Sequence, residues 1–273
     1  MNSVAKKCSL MKPALAFPYY DPDGIMLPHL QAILPDLKTH FDRAYICPPL
    51  STRKLVEQTE WIHADDFFTI FYDDNELRVG ERFAYLYQLA AEAAPAEQII
   101  HLCYIDRLSF ALEGNYRDTF LADVDSLSVA DLPLIFQRSP LAWDTHPQNY
   151  RDIEGMVATT GRHLFGNELD YAWCHLVATA GDLRRVIPLT THPTISMVAE
   201  IVYHLQETIH AKEVDWLAWE DPFIFGRDAA EFKRERETSV EESQKRLAYA
   251  IPMIEFLTTQ SKSLAANSAN FRE

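Results

Sequence analysis

Residues 98–110 read QIIHLCYIDRLSF, and the reading of this run decides the fold. Its first half is apolar and β-branched, the pattern of a strand buried on both faces. It then meets an acid and a base, Asp106 and Arg107. One explanation is that the strand stops there and its charges meet solvent. The other is that Asp106 stands at the carboxyl end of a central strand, where open α/β sheets place their ligands.

Working back toward the N-terminus, three similar alternations precede it. PALAFPYY (13–20), RAYIC (43–47) and FFTIFY (67–72) read as strands. A helical pattern over 25–40, a second in STRKLVEQTEWI and a third in LRVGERFAYLYQLAAEAA separate them. Strands alternating with helices predict an open, mostly parallel α/β sheet with helices on both faces. Beyond residue 110, LPLIFQRS (132–139) reads as another strand. YAWCHLVATA (171–180) is a strand or a buried helix start, which periodicity does not decide. THPQNYRDIEGMVATTGRHLFG and THPTISMVAEIVYHLQETIHAK read as helices that share Thr-His-Pro as an entry device. The charged run from Arg227 to Arg246 reads as a solvated amphipathic helix, continued to a kink or break at Pro252 and then a frayed tail. No Pro/Gly/Ser-rich linker divides the chain. The expectation is one domain, with an α/β core over 13–227, a helical C-terminal segment over 227–260 and a tail over 261–273.

The 273 residues are 48% hydrophobic with only 8 glycines, an ordinary globular composition. A net charge of −15 argues against sequence-independent nucleic-acid binding, which needs a dense Lys/Arg surface. Cys8, Cys47, Cys103 and Cys174 are widely spaced, so neither a disulfide framework nor a zinc knuckle is expected. No apolar run approaches the ~18 residues that span a bilayer, and MNSVAKKCSL lacks the apolar core of a secretory signal. Cytoplasmic is the default expectation. GxGxxG, GxxxxGK[ST] and GxSxG are all missing, which removes the main support for nicotinamide-binding Rossmann, P-loop and α/β-hydrolase readings.

The order ALAFPYYDPDG, RVGERFAYLYQLA and IIHLCYIDR resembles the nucleotide-diphosphosugar transferase fold, called GT-A in glycosyltransferases. In that family an Asp-x-Asp motif at a strand end holds a divalent metal on the donor diphosphate. The resemblance implies a Mn or Mg ion, because a hard dication neutralises adjacent phosphates before one leaves. Here the motif is Tyr104-Ile105-Asp106, so its first acid is absent and the single metal-side carboxylate would be Asp106. A second candidate pair is Asp123-Val124-Asp125, whose residue types also suit caps and turns. The later LAWEDPFIFGR (217–227) is similar to the Glu-Asp motif of inverting members, which makes Glu220 or Asp221 the general base.

The resemblance further implies donor contacts from Asp21, Arg78, Arg82 and Arg138. His146 and His192 are further candidates, as metal or phosphate ligands, and all of these but Arg138 also have a plainer reading. DPDG, with Asp21 and Asp23, is a turn sequence, Arg78 and Arg82 suit a helix surface, and His146 and His192 each precede a proline and suit a cap. The implied partners are a nucleotide-sugar donor and a small or lipid-linked acceptor. The alternative is a catalytically silent GT-A-like binding or scaffold protein.

Overall fold

The computed structural model describes residues 12–270 except 65, 167 and 168. Seven strands form one sheet: β1 (Ala14–Pro18), β2 (Ala44–Cys47), β3 (Phe68–Ile70), β4 (Ile99–Leu102), β5 (Leu134–Arg138), β6 (His175–Thr179) and β7 (His210–Val214). Their order is β3-β2-β1-β4-β6-β5-β7. Every pairing is parallel except the two made by β6, which runs antiparallel to β4 and to β5. The expected α/β class with a mostly parallel sheet is therefore the observed one.

The central strands read as unbroken apolar runs because both sheet faces are covered. Side chains alternate between two cores. Ala14, Ala16, Ile100, Leu102, Leu176 and Ala178 face one of them. Leu15, Phe17, Ile99 and Val177 face the other. The first core is closed by the helices Val79–Glu92, Gln148–Phe165, Met197–Leu205 and the long Val240–Asn270. The second is closed by Met26–His40, Ile105–Glu113 and Arg117–Asp125.

Several expectations are corrected. The opening strand ends at Leu102, and Asp106 and Arg107 lie in the first turn of the helix Ile105–Glu113. A carboxylate is favoured there by the unpaired amides and dipole of the helix start. The second Thr-His-Pro is not a helix entry, because the helix begins only at Met197. Residues His210–Val214, expected partly as helix, form edge strand β7. The helix Val240–Asn270 runs through Pro252, so the break of the expected kink or break does not occur, and its backbone stays helical through Asn270, within the segment expected as a frayed tail. No helix among the described residues is long and apolar enough to cross a membrane. Cys47 and Cys103 are buried free thiols and Cys174 is a half-buried one, while Cys8 lies outside the described residues.

The chain winds from β1 toward β3 on one side and proceeds through β4 on the other. The crevice between the carboxyl ends of β1 and β4 is thus the switch point of the sheet, the place where this architecture opens toward a ligand.

Candidate functional site

A cavity of about 660 Å³ opens at this switch point. Tyr20 and Asp21 enter it from the end of β1, Tyr104 and Asp106 from the end of β4, Arg82 from the helix Val79–Glu92 and Asp221 from the short helix Asp221–Ile224. Its rim is apolar, with Tyr20, Ile25 and Phe225 exposed. A smaller cavity of about 200 Å³ adjoins it and shares Tyr104, Asp106, Ile195 and Asp221 as walls. Arg107, Arg138, Glu154, Glu220 and Arg246 face this second space.

Asp21 is buried and held from two sides. Its backbone N–H donates to Thr52 Oγ1 at 2.8 Å, and its Oδ2 accepts from the Tyr19 hydroxyl at 3.1 Å. Burial, with Asp21 beside it, pushes the Tyr19 phenol up, so it stays a donor. Arg82 donates to Leu77 O at 2.5 Å and reaches Asp73 Oδ2 at 3.3 Å. Buried Asp73 also accepts from the N–H groups of Asn75 and Leu77, and so shapes the turn that leads into the helix. Arg78 is exposed, pairs with Glu81 at the helix start and faces neither cavity.

Gly80 lets that helix start approach the segment that carries Ile195. Its N–H donates to Pro193 O at 3.0 Å, and a Cβ at this position would stand 2.0 Å from the Thr194 carbonyl oxygen. Gly80→Ala is expected to destabilise the protein by about 1–3 kcal/mol, the usual penalty of overpacking against backbone. A urea midpoint equal to that of wild type would refute this.

The acids meet where the helices Ile105–Glu113 and Asp221–Ile224 start. Asp106 Oδ1 accepts from the Arg107 N–H at 2.8 Å. Burial raises the Asp106 pKa, Arg107 opposes the rise and Asp221 adds to it. Glu220 is buried and ion-paired with Arg107, yet its Oε2 receives no well-directed hydrogen bond among the described residues. Burial pushes the Glu220 carboxyl up to about 8, with Asp221 and Asp106 adding to the effect and Arg107 opposing it. Arg107 is also buried; it donates to Ala218 O at 3.2 Å and to His146 Nε2 at 3.3 Å. His146 Nδ1 donates to Ala142 O at 3.0 Å, which leaves Nε2 free to accept. His146 therefore orients Arg107, besides standing at the end of the helix Pro140–Thr145. Asp221 has Arg236 at 3.7 Å and faces both cavities.

Arg138 ends β5 as expected, but its charge is met by Glu154 at 2.5 Å and Asp170 at 2.7 Å. It lines the smaller cavity, not the larger one. Asp123 and Asp125 do not join the site. Asp123 accepts from Trp216 Nε1 at 2.7 Å and Lys212 Nζ at 2.8 Å, and Asp125 pairs with His40 at 2.7 Å. His192 lies in the loop before Met197, where its ring Nδ1 accepts from the Thr194 N–H at 3.3 Å.

Among the described residues, no group of three or more His, Cys, Asp or Glu side chains is arranged to hold a metal. Asp106 and Asp221 are two of the four carboxylates on the larger cavity. Such a pair matches a Mg²⁺-type ion that arrives with phosphate oxygens and needs only one or two protein carboxylates.

Arg107, Glu154, Arg246 and Tyr249 are site residues that the sequence reading did not select. Glu154 carried a signal: it falls on the buried stripe Tyr150, Ile153, Val157 and Gly161 of its helix. Arg246 likewise shares a face with Ala250, Met253 and Leu257. A charge on an apolar stripe needs a buried partner, and these two found each other at 2.9 Å.

No family model and no curated protein matches the chain. Among solved structures it is similar to a mycobacterial protein at 13% identity and a TM-score of 0.44, over 76% of this chain and 66% of that one. It is similar to the apo-form glycosyltransferase GlyE of Streptococcus pneumoniae TIGR4 at 11% identity and a TM-score of 0.41, over 93% of this chain and 64% of that one. It is also similar to the galactosyltransferase LgtC, solved with donor and acceptor sugar analogues, at 12% identity and a TM-score of 0.36, over 75% of this chain and 69% of that one. The chain thus spans less than two thirds of the length of the first two.

Proposed function

We propose that the chain transfers a sugar from a nucleotide-sugar donor to an acceptor hydroxyl. The observation that carries this reading is the convergence of Asp21, Arg82, Asp106 and Asp221 on one cavity at the sheet's switch point, with Glu220 behind them. Among the described residues, four acids, Asp21, Asp23, Asp106 and Asp221, line that cavity against the single cation Arg82. A bare diphosphate would be repelled by this wall. A divalent metal on Asp106 and Asp221 would supply the missing positive charge. Asp21, fixed by Tyr19 and Thr52, would orient the nucleoside, and Arg82 would steady the phosphates.

Glu220 is the base. A carboxyl pushed up to about 8 is a better proton acceptor near neutral pH than an ordinary glutamate. In the transfer the acceptor oxygen bonds to the anomeric carbon while its proton passes to the Glu220 carboxylate. The bond from the anomeric carbon to the diphosphate oxygen breaks, and the nucleoside diphosphate leaves with the electron pair. Because the base must be unprotonated, kcat/KM is expected to rise with pH, and Glu220→Gln should remove both the limb and most of the rate. A rising limb that survives in Glu220→Gln would assign the proton to another group.

The test of the reading is calorimetric titration of UDP and GDP with and without Mn²⁺. One of the two is expected to bind only with the metal, and Asp106→Ala should weaken that binding by about tenfold or more. The rival, a silent binding or scaffold protein, is favoured by one observation, that Arg107 already occupies Glu220. Flat titrations of both nucleotides with wild type would support that rival.

A further inference from the structure

From the smaller cavity we infer that the transferred unit is a single uncharged sugar ring, held behind Asp106 and Asp221 and selected against sugars that carry a carboxylate. The inference rests on the nucleotide-sugar reading and goes further by naming the class of donor.

Size is the first argument. The space of about 200 Å³ is roughly seven times the ~30 Å³ share of a water molecule in the liquid, which suits one monosaccharide and not a disaccharide. Its walls are stiff. Trp173, Val198 and Met253 are almost wholly buried, and the Trp173 indole donates to Val198 O at 3.0 Å. The cavity meets the larger one through Asp106 and Asp221, so a ring placed here would have its anomeric carbon beside the carboxylates assigned to the diphosphate.

Charge is the second argument. Three guanidiniums face the space, and each is already matched. Arg107 is paired with Glu220. Arg138 is paired with Glu154 and Asp170. Arg246 Nη1 donates to Glu154 Oε1 at 2.9 Å and to the Tyr249 hydroxyl at 2.8 Å. The acids Asp106, Glu154, Glu220 and Asp221 also line it, one more than the bases. A uronate carboxylate would find every guanidinium already engaged and would stand against Glu154, a juxtaposition that disfavours binding. Sugar hydroxyls meet no such obstacle.

The third argument is unused hydrogen-bonding capacity. The Tyr104 hydroxyl is buried, belongs to a residue lining both cavities and has no hydrogen-bond partner among the described residues. A ring hydroxyl supplies that partner, since it both donates and accepts.

The experiment compares donors on the full chain with Mn²⁺ present, again by calorimetry. UDP is titrated beside UDP-glucose, UDP-galactose and UDP-glucuronate, with GDP, GDP-mannose and GDP-mannuronate as the parallel series. Within the series whose nucleotide binds, at least one neutral conjugate is expected to bind about tenfold or more tightly than the uronate. Glu154→Gln, which releases Arg138 and Arg246 from one carboxylate, should shift that ratio about tenfold toward the uronate. Cys174→Leu, which fills part of the smaller cavity, should weaken the neutral conjugate and leave the bare nucleotide unchanged. Nucleotide binding with uronate equal to or tighter than every neutral sugar would overturn this inference alone. So would a Cys174→Leu protein, folded by circular dichroism, that binds the neutral conjugate as wild type does. Absence of binding by either nucleotide would overturn the parent reading and this one with it.

Discussion

At about pH 9, where Glu220 is ionised, Arg107→Met is expected to destabilise the protein by about 3–5 kcal/mol, because removing one partner of a buried ion pair leaves the other charge without compensation. Arg107 and Glu220 are only 8% and 4% exposed, so water does little to soften the loss. Asp106 and Asp221 stand beside Glu220, and Arg107 is what opposes their combined effect on it. Without the guanidinium, three acids would share one buried corner, and Glu220 would hold its proton to still higher pH. His146 Nε2 would lose its donor at the same time. The double variant Arg107→Met/Glu220→Leu should recover most of the stability, since a well-packed apolar pair avoids the desolvation penalty of both ions. Urea unfolding of the wild type, the two single variants and the double variant gives the coupling energy directly. A loss below about 1 kcal/mol in Arg107→Met would mean the pair behaves like an exposed one.

The second large effect is expected on acidification. His101 on β4 and His175 on β6 are fully buried, and His101 Nε2 lies 2.9 Å from His175 Nδ1. Phe41, Phe120, Phe136 and Trp216 pack around the two rings. His101 Nδ1 and His175 Nε2 have no hydrogen-bond partner among the described residues. Burial lowers the His101 pKa to about 3. It lowers that of His175 as well, with the charges of His101 and Arg107 acting in the same sense.

Both rings therefore stay neutral in the folded protein at pH values where the unfolded chain protonates them. The unfolded state binds more protons, so stability falls as pH drops from about 6.5 toward 3. By pH 4.5 the His101 contribution alone amounts to roughly 3 kcal/mol of lost stability, with His175 adding in the same direction. Glu220 acts with the opposite sign. Its folded pKa is raised to about 8, so the folded state binds the extra proton and gains stability as pH falls from 8 toward 4.5. The wild-type curve is thus the sum of two opposing slopes, and the informative quantity is a difference between proteins. His101→Phe/His175→Leu should be more stable relative to wild type at pH 4.5 than at pH 7.5, by roughly 3 kcal/mol or more. Equal differences at the two pH values would show that the rings already carry charge in the folded state.

Much of the fold was legible because it is written in short-range periodicity. A continuous apolar run of four or five residues, as in Ala44–Cys47 or Ala14–Pro18, can be satisfied only where both faces are covered. The stripe of Met26, Leu30, Ile33 and Leu37 marks a helix with one buried side. Asp106 was legible as a site residue for a reason that proved partly wrong. The acid stands at the sheet's ligand edge, but it begins a helix there and does not end a strand. Three residues, Cys103, Tyr104 and Ile105, separate Asp106 from the end of β4, and no pattern that short distinguishes a strand tail from a helix start.

The sequence by itself determined which segments are strands over most of the sheet, that the sheet is mostly parallel, and that acids gather at its carboxyl edge. Only the tertiary structure decided that β6 runs backward between β4 and β5, that Glu220 is clasped by Arg107, and that Arg138 spends its charge on Glu154 and Asp170. It alone drew Arg246, read as the end of a solvated helix, and Tyr249 of the segment after it into the wall of the smaller cavity. The division has a physical cause. Secondary structure answers to neighbours a few residues away, through sterics and the spacing of apolar side chains. A buried charge answers to whichever opposite charge the folded chain brings within reach, and desolvation makes that partner obligatory without saying where in the sequence it lies.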